Sequence, residues 1–329
     1  MSNETQEFVH WSQQSEKAAG YWQLKFLLVL FRIFPVIILR IIAFPVGFFY
    51  FIFSKKAKSE SKRFLQRVAN FTGDPALAKK YRGAFAPLKH IISFSHTMIE
   101  KIQVWDGRFS LKNIQFQDDD IGDLKSELEQ GRGAFLVFSH LGNSELLRGL
   151  LNLDKTGVSR KIPVTAIMDM KVSAHFRQML KELNPRSSID IIDAGEIGPQ
   201  TAVVLEDRLA GGGLVLVTGD RTSISGGKNL MIPFFGKEAP FPFGVFFIFS
   251  LLKYPVYFVF GLHRGDLPLI PHYNMHVHKS TVSFDCPRKE KIQRSTLLAH
   301  SFSSLLESYC KKYAFQWYNF YDFWQEGEI

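Results

Sequence analysis

The fold turns on residues 133–153, GAFLVFSHLGNSELLRGLLNL. Residues 134–138 are an unbroken apolar run of strand length and read as a strand buried on both faces. A short polar turn follows. An amphipathic helix then starts near Asn143 or Ser144, both good N-cap residues. His140 sits where the strand ends and Glu145 in the first turn of the helix, with four residues between them. Both ionisable groups therefore lie at the carboxyl edge of a sheet, where open α/β folds place ligands. From there Glu145 is expected to reach back and hold the imidazole of His140. A held imidazole is a usable general base near neutral pH. The same residues also have a purely structural reading. Asn143 and Ser144 cap a helix, the helix dipole favours a Glu in the first turn, and His140 is a satisfied turn residue. On this stretch alone both readings stand.

Working outward, the chain alternates. Strands are expected at residues 164–168, 189–192, 214–218, 256–262 and 273–278, and helices at 174–183, 199–210, 241–252 and 291–313. This pattern predicts an α/β fold with a mostly parallel sheet flanked by helices on both faces. Upstream, residues 75–105 read as helical. Asp74 caps, Pro75 takes the first helical position and Pro87 kinks or splits the segment. His90 and His96 on it read as packing residues. Residues 117–131 give a short helix that runs into the first strand. We expect three regions: an N-terminal membrane-anchoring segment with a basic flank (1–67), a helical accessory region (68–115) and the α/β domain (116–329).

The N-terminal assignment rests on residues 24–53, LKFLLVLFRIFPVIILRIIAFPVGFFYFIF. Lys25, Arg32 and Arg40 interrupt this apolar stretch, and its longest uncharged run is 13 residues. A full helical span needs about 20 residues. Pro35 and Pro45 favour breaks. The expectation is a monotopic or re-entrant helix pair dipping into one leaflet, with Arg32 and Arg40 snorkelling towards headgroups. A buried helical hairpin is the soluble alternative. A signal peptide does not fit, because no small-residue cleavage site closes the stretch. Residues 55–67, KKAKSESKRFLQR, carry six cations and one Glu and are expected on the cytoplasmic side.

Composition agrees with that division. The net charge is +9, yet residues 1–112 hold 17 Lys or Arg against 7 Asp or Glu, while the remainder is nearly balanced. A basic segment beside an apolar one points to an anionic membrane surface, and no motif suggests nucleic acid. The 32 phenylalanines, concentrated at 26–53 and 234–249, suggest apolar surface for lipid or an acyl chain as well as core. Two distant cysteines, Cys286 and Cys310, support neither a disulfide framework nor a thiolate metal site. His272, His276 and His278 have no interleaved acidic residue and no zinc spacing, so no metal site is read there. Residues 226–228 are not a P-loop, and no Gly-x-Ser-x-Gly elbow occurs. Gly219-Asp220-Arg221 ends a buried strand and so shares the sheet edge with His140. Arg221 is a candidate for binding a phosphate or carboxylate there. An ordinary Asp-Arg surface pair is the alternative.

With these residues in place, the chain resembles a known family. His-x4-Glu after a strand is similar to the catalytic box of the lysophospholipid acyltransferase superfamily. Within it, the chain most resembles the bacterial lipid A biosynthesis (lauroyl/myristoyl) acyltransferases. Three further stretches agree in order and spacing: LVLVTGDRTSISGGKNLMIPFFGKEAPFPFG (214–244), KYPVYFVFGLHR (253–264) and the aromatic tail QWYNFYDFW (316–324). Two departures stand out. Ser144 precedes the box Glu where an aromatic residue is common, and only Lys171 and Arg177 are on offer for the basic residue after the following strand.

The resemblance implies a glycerolipid-acyltransferase-like fold and an acyl transfer at the cytoplasmic face of a bacterial inner membrane. His140 and Glu145 would be catalytic, and Asp220, Arg221, Lys171, Arg177 and Asn143 would bind substrate. The donor would be a thioester of acyl carrier protein or coenzyme A, with no cofactor bound. The acceptor would be a hydroxyl or amine of a membrane lipid or glycolipid. An aryl-polyene or ornithine-type lipid is an alternative acceptor. A thioesterase and a catalytically silent, membrane-bound lipid-binding scaffold are the rival readings. The oligomeric state stays open.

Overall fold

The structure, a computed structural model, describes residues 29–31, 33–117, 120–152, 157–168, 189–194, 198–222 and 227–326. The expected helix at 174–183, with Lys171 and Arg177, and the segment 223–226 lie outside the described residues. The strands are β1 (Ile114–Phe116), β2 (Ala134–Phe138), β3 (Val164–Met168), β4 (Ile189–Asp193), β5 (Leu214–Thr218), β6 (Asn229–Phe234), β7 (Lys237–Pro242), β8 (Val256–His263) and β9 (Tyr273–Lys279). The helices are α1 (Val36–Phe53), α2 (Lys55–Phe71), α3 (Pro75–Tyr81), α4 (Ala86–Trp105), α5 (Ile121–Glu129), α6 (Glu145–Asn152), α7 (Pro199–Ala210), α8 (Phe243–Leu252) and α9 (Lys291–Tyr313).

Seven strands form one sheet in the order β1-β9-β8-β2-β5-β3-β4. β8, β2, β5, β3 and β4 run parallel, whereas β9 is antiparallel to β8 and carries β1 parallel to itself. Alternation along the strands divides the core in two. Phe135, Val137, Val215, Val217, Phe258 and Phe260 face α2, α7, α8 and α9. Ala134, Leu136, Phe138, Leu214, Leu216 and Val259 face α5 and the start of α6. Helices therefore cover both faces, which is why β2 and β8 are buried along their whole length. Each such large side chain, fully buried, contributes about 1.5–3 kcal/mol.

Residues 75–105 split at Pro87 as expected into two helices, with Pro87 in the first turn of α4 and Asp74 capping α3 through Ala76 and Leu77. Two local differences from the sequence reading have identifiable causes. β6 and β7 form an unforeseen hairpin, closed by Phe235 and Gly236 at φ 50° and 74°. Pro233, Pro240 and Pro242 lie in its strands, and proline argues against strand in a sequence. Buried Phe235 holds its unfavourable backbone because Phe64, Phe71 and Phe234 pack edge-on against its ring. Finally, β1 is a three-residue, partly buried strand with no clear periodicity.

The N-terminal segment departs most. Residues 29–31 and 33 are helical, the chain breaks at Pro35 as expected, and residues 36–53 then form one continuous helix that passes through Pro45 without a break. It is apolar and long enough to cross a membrane, with 18 residues of mean hydropathy 2.4. One narrow stripe (Leu39, Arg40, Ala43 and Gly47) packs inward. Ile41, Ile42, Val46, Phe49, Ile52 and Phe53 are exposed. Arg40 does not snorkel. Its guanidinium is buried, pairs with Glu100 of α4 and donates to the Pro268 carbonyl. Glu100 also accepts from Tyr273 and pairs with His263 at 2.7 Å. A buried charge needs partners, and these lie far along the chain. The basic α2 joins the main core through Phe64, Leu65, Val68 and Ala69.

Candidate functional site

The site is built by strand register. β2 and β5 pair in parallel, with Phe138 opposite Thr218. Two residues beyond each pair partner stand His140 and Asp220, side by side at the carboxyl edge of the sheet. His140 Nδ1 bonds Asp220 Oδ1 at 2.8 Å, and the His140 backbone N–H donates to Asp220 Oδ2 at 2.8 Å. Trp317 Nε1 and Asn319 Nδ2 donate to the same Oδ2 at 3.1 and 3.5 Å. Four donors thus converge on a fully buried carboxylate. Burial alone would raise the pKa of Asp220. The His140 charge and hydrogen bonds, with Arg221 nearby, overcome it and hold the carboxyl below its ordinary value.

An ionised carboxylate only accepts. Nδ1 of His140 therefore carries the proton, and Nε2 of the neutral ring keeps its lone pair. Burial, then the Arg221 charge, lowers the His140 pKa; Asp220 opposes both, and the balance stays on the low side. The imidazole is thus neutral at neutral pH. Its side chain is 25% exposed, so the ring is reachable.

This corrects the expected partnership. Glu145 does not hold the His140 ring. It opens α6, and its Oε2 accepts from Trp105 Nε1 of α4 at 2.8 Å. The steering carboxylate is Asp220, expected instead as a substrate-binding residue. Asn143 is buried and structural in its contacts. Its Oδ1 accepts from the Glu145 backbone N–H at 3.1 Å, and its Nδ2 donates to the Tyr273 hydroxyl at 3.4 Å. Arg221 reaches across the tail rather than into open space. It donates to Asn319 Oδ1 at 3.1 Å and to the Tyr318 carbonyl at 3.3 Å, with Tyr321 5.6 Å below its guanidinium.

The aromatic tail is the part that sequence reasoning left without a physical role. Trp317 pairs with Leu141 as a β-bridge, Tyr318 N–H donates to the His140 carbonyl at 3.0 Å, and Gly142 N–H donates to the Gln316 carbonyl at 2.8 Å. Gly142 is held at φ 75° against the backbone of Gly261, where any side chain would collide. The loop bearing His140 is therefore clamped between the tail and β8. The density of indole, amide and phenol donors in QWYNFYDFW was the available signal. The buried His90 and His96 pack as expected, His90 bonding Ser61 and the Trp317 carbonyl. His276 and His278 stack on each other and pack at a tilt against Tyr309.

Comparison with family models and with curated proteins finds no match. The site must be read from its own chemistry. A polarised, neutral imidazole at the mouth of a parallel sheet is equipped to remove a proton from a nucleophile and return it to a leaving group.

Proposed function

We propose that the chain is a membrane-associated acyltransferase of the lysophospholipid acyltransferase type, with a glycerolipid-acyltransferase-like fold. One observation carries the reading: His140 is locked through Nδ1 onto buried Asp220. That leaves Nε2 as the basic nitrogen at the sheet edge. His-x4-Glu and the three stretches quoted above support the family. The apolar outer face of α1 and the cations of α2 support a site beside a bilayer.

In this mechanism Nε2 takes the proton from an acceptor hydroxyl or amine as that atom attacks the thioester carbonyl of acyl carrier protein or coenzyme A. The tetrahedral intermediate collapses, the carbon–sulfur bond breaks, and the thiolate takes the proton back from the imidazolium. Asp220 fixes the tautomer and stabilises the imidazolium. It is a positioning residue. Glu145 lies one loop away, anchored by Trp105.

The test combines two measurements. Lipids of a deletion strain are compared with the parent by mass spectrometry. The purified chain is then given an acyl thioester and the lipid that changed. The expected result is loss of one acylated lipid (lipid A precursor, ornithine-type, aryl-polyene or glycerolipid) and thiol release that requires both His140 and the acceptor. Thiol release at the same rate without acceptor would replace transfer by hydrolysis. An unchanged lipidome with no thiol release would leave the scaffold reading.

A further inference from the structure

We propose that Lys101 is the anion-binding group of this site and takes a phosphate ester of the substrate beside His140. The proposal rests on the acyl-transfer reading and adds a substrate requirement to it. Lys101 lies on α4 one helical turn before Trp105, so the two project from the same face. Trp105 is tied at 2.8 Å to Glu145 at the start of α6, which brings that face to the His140 loop. Lys101 is half-buried, yet among the described residues its ammonium has no hydrogen-bond or ion-pair partner. Arg221, by contrast, is engaged by Asn319 and Tyr318. An ammonium carries three donors and no acceptor, and anionic oxygens are its strongest hydrogen-bond partners. The charges agree. Burial lowers the Lys101 pKa and the Arg221 charge adds to this, with Glu145 alone opposing them, and the Lys101 charge in turn disfavours protonation of His140. An arriving dianion would relieve that repulsion and raise the basicity of His140 when substrate is present.

Phosphate esters are carried by the phosphopantetheine arm of either proposed donor and by many lipid acceptors. The two sources are separated by ligand pairs that differ only in phosphate. For the donor these are 4′-phosphopantetheine and pantetheine. For the acceptor they are micelles carrying lysophosphatidic acid or monoacylglycerol. Equilibrium binding to the full chain is measured for wild type, Lys101→Met and Lys101→Arg, with melting temperature as the folding check. One charged hydrogen bond lost corresponds to about ten-fold or more in affinity. Lys101→Met should weaken the phosphate-bearing member of one pair by about that factor and leave its phosphate-free partner unchanged. Lys101→Arg should restore most of the loss. Which pair responds names the source. Binding of every phosphate-bearing probe within two-fold of wild type in Lys101→Met overturns the proposal. So does an equal loss for the phosphate-free probes. Because no turnover is read, these outcomes are separate from failure of the acyl-transfer reading, which shows instead as His140-independent or absent thiol release.

Discussion

Among the described residues two histidines lean on buried carboxylates, and one of them is placed for chemistry. His263 bonds Glu100 through Nε2 at 2.7 Å and is 3% exposed; its Nδ1 is sealed in the interior without a partner among the described residues. His140 bonds Asp220 through Nδ1 at 2.8 Å and is 25% exposed. Glu100 also neutralises Arg40, so the first pair joins α1 to the α/β domain. Asp220 gathers its other donors from the backbone and the tail, so the second pair spends its charge on orienting one ring. The same two side-chain types thus make a structural rivet in one place and a candidate base in the other. The deciding variable is whether the far nitrogen of the ring can be reached.

The sharpest way to break that distinction is to remove each member. His140→Ala should lower turnover by about 10²–10⁴-fold and leave the melting temperature near wild type. Asp220→Asn should lose about 10²-fold or more, since an amide at this position no longer fixes the Nδ1–H tautomer or stabilises the imidazolium. Steady-state kinetics on the acyl thioester reads both. Wild-type rates in either variant would sink the base assignment. The counterpart is Glu100→Ala, which leaves Arg40 buried without its counter-charge. Unfolding in denaturant should show a loss of about 3–5 kcal/mol. An unchanged stability with lost activity would erase the contrast between rivet and base.

Acid should sharpen it next. Burial pushes the His90 pKa from 6.5 down to about 3, and burial together with Arg40 pushes His96 to about 4. Between pH 6.5 and those values the unfolded chain binds protons that the folded chain refuses. Stability therefore falls as pH drops below about 6.5 and is fully present above it. By pH 5 each histidine should remove about 2 kcal/mol. Because His140 is also lowered, kcat/KM should lose its acid limb below 6.5 rather than above it. A stability profile flat from pH 7 to 5 would contradict the neutral burial of His90 and His96.

Much of this arrangement was legible in the chain, for reasons that also explain the failures. β2, β3, β5, α7 and α9 fall on the expected residues. The strands are apolar runs of the right length and the helices amphipathic stretches, and glycine or proline bounds several of them. His140 and the Gly219–Arg221 corner were placed at one sheet edge because each follows a strand. What local pattern does not carry is register. Only the pairing of Phe138 with Thr218 reveals that Asp220, eighty residues away, stands closer to the imidazole than Glu145. Arg40 was misread for the same reason: its counter-charge lies sixty residues on. The β6–β7 hairpin was hidden by prolines and by a Phe-Gly turn in place of Asn-Gly.

The smallest predicted effect tests the misreading directly. Glu145→Gln keeps an oxygen that accepts from Trp105 Nε1 and removes only the charge. If Glu145 anchors the start of α6, as its bond to Trp105 indicates, turnover should stay within about ten-fold of wild type, a difference of about 1.4 kcal/mol or less. Trp105→Phe, which deletes the donor instead, should cost about 1 kcal/mol of stability with a comparably small change in rate. A loss in Glu145→Gln as large as that in Asp220→Asn would mean that the box glutamate acts on the imidazole during turnover. The loop from His140 to Asn143 would then have to move on substrate binding. That motion would have to break the bonds from Gly142 to Gln316 and from Tyr318 to His140. Hydrogen exchange at those two amides, with and without substrate, would show whether it does.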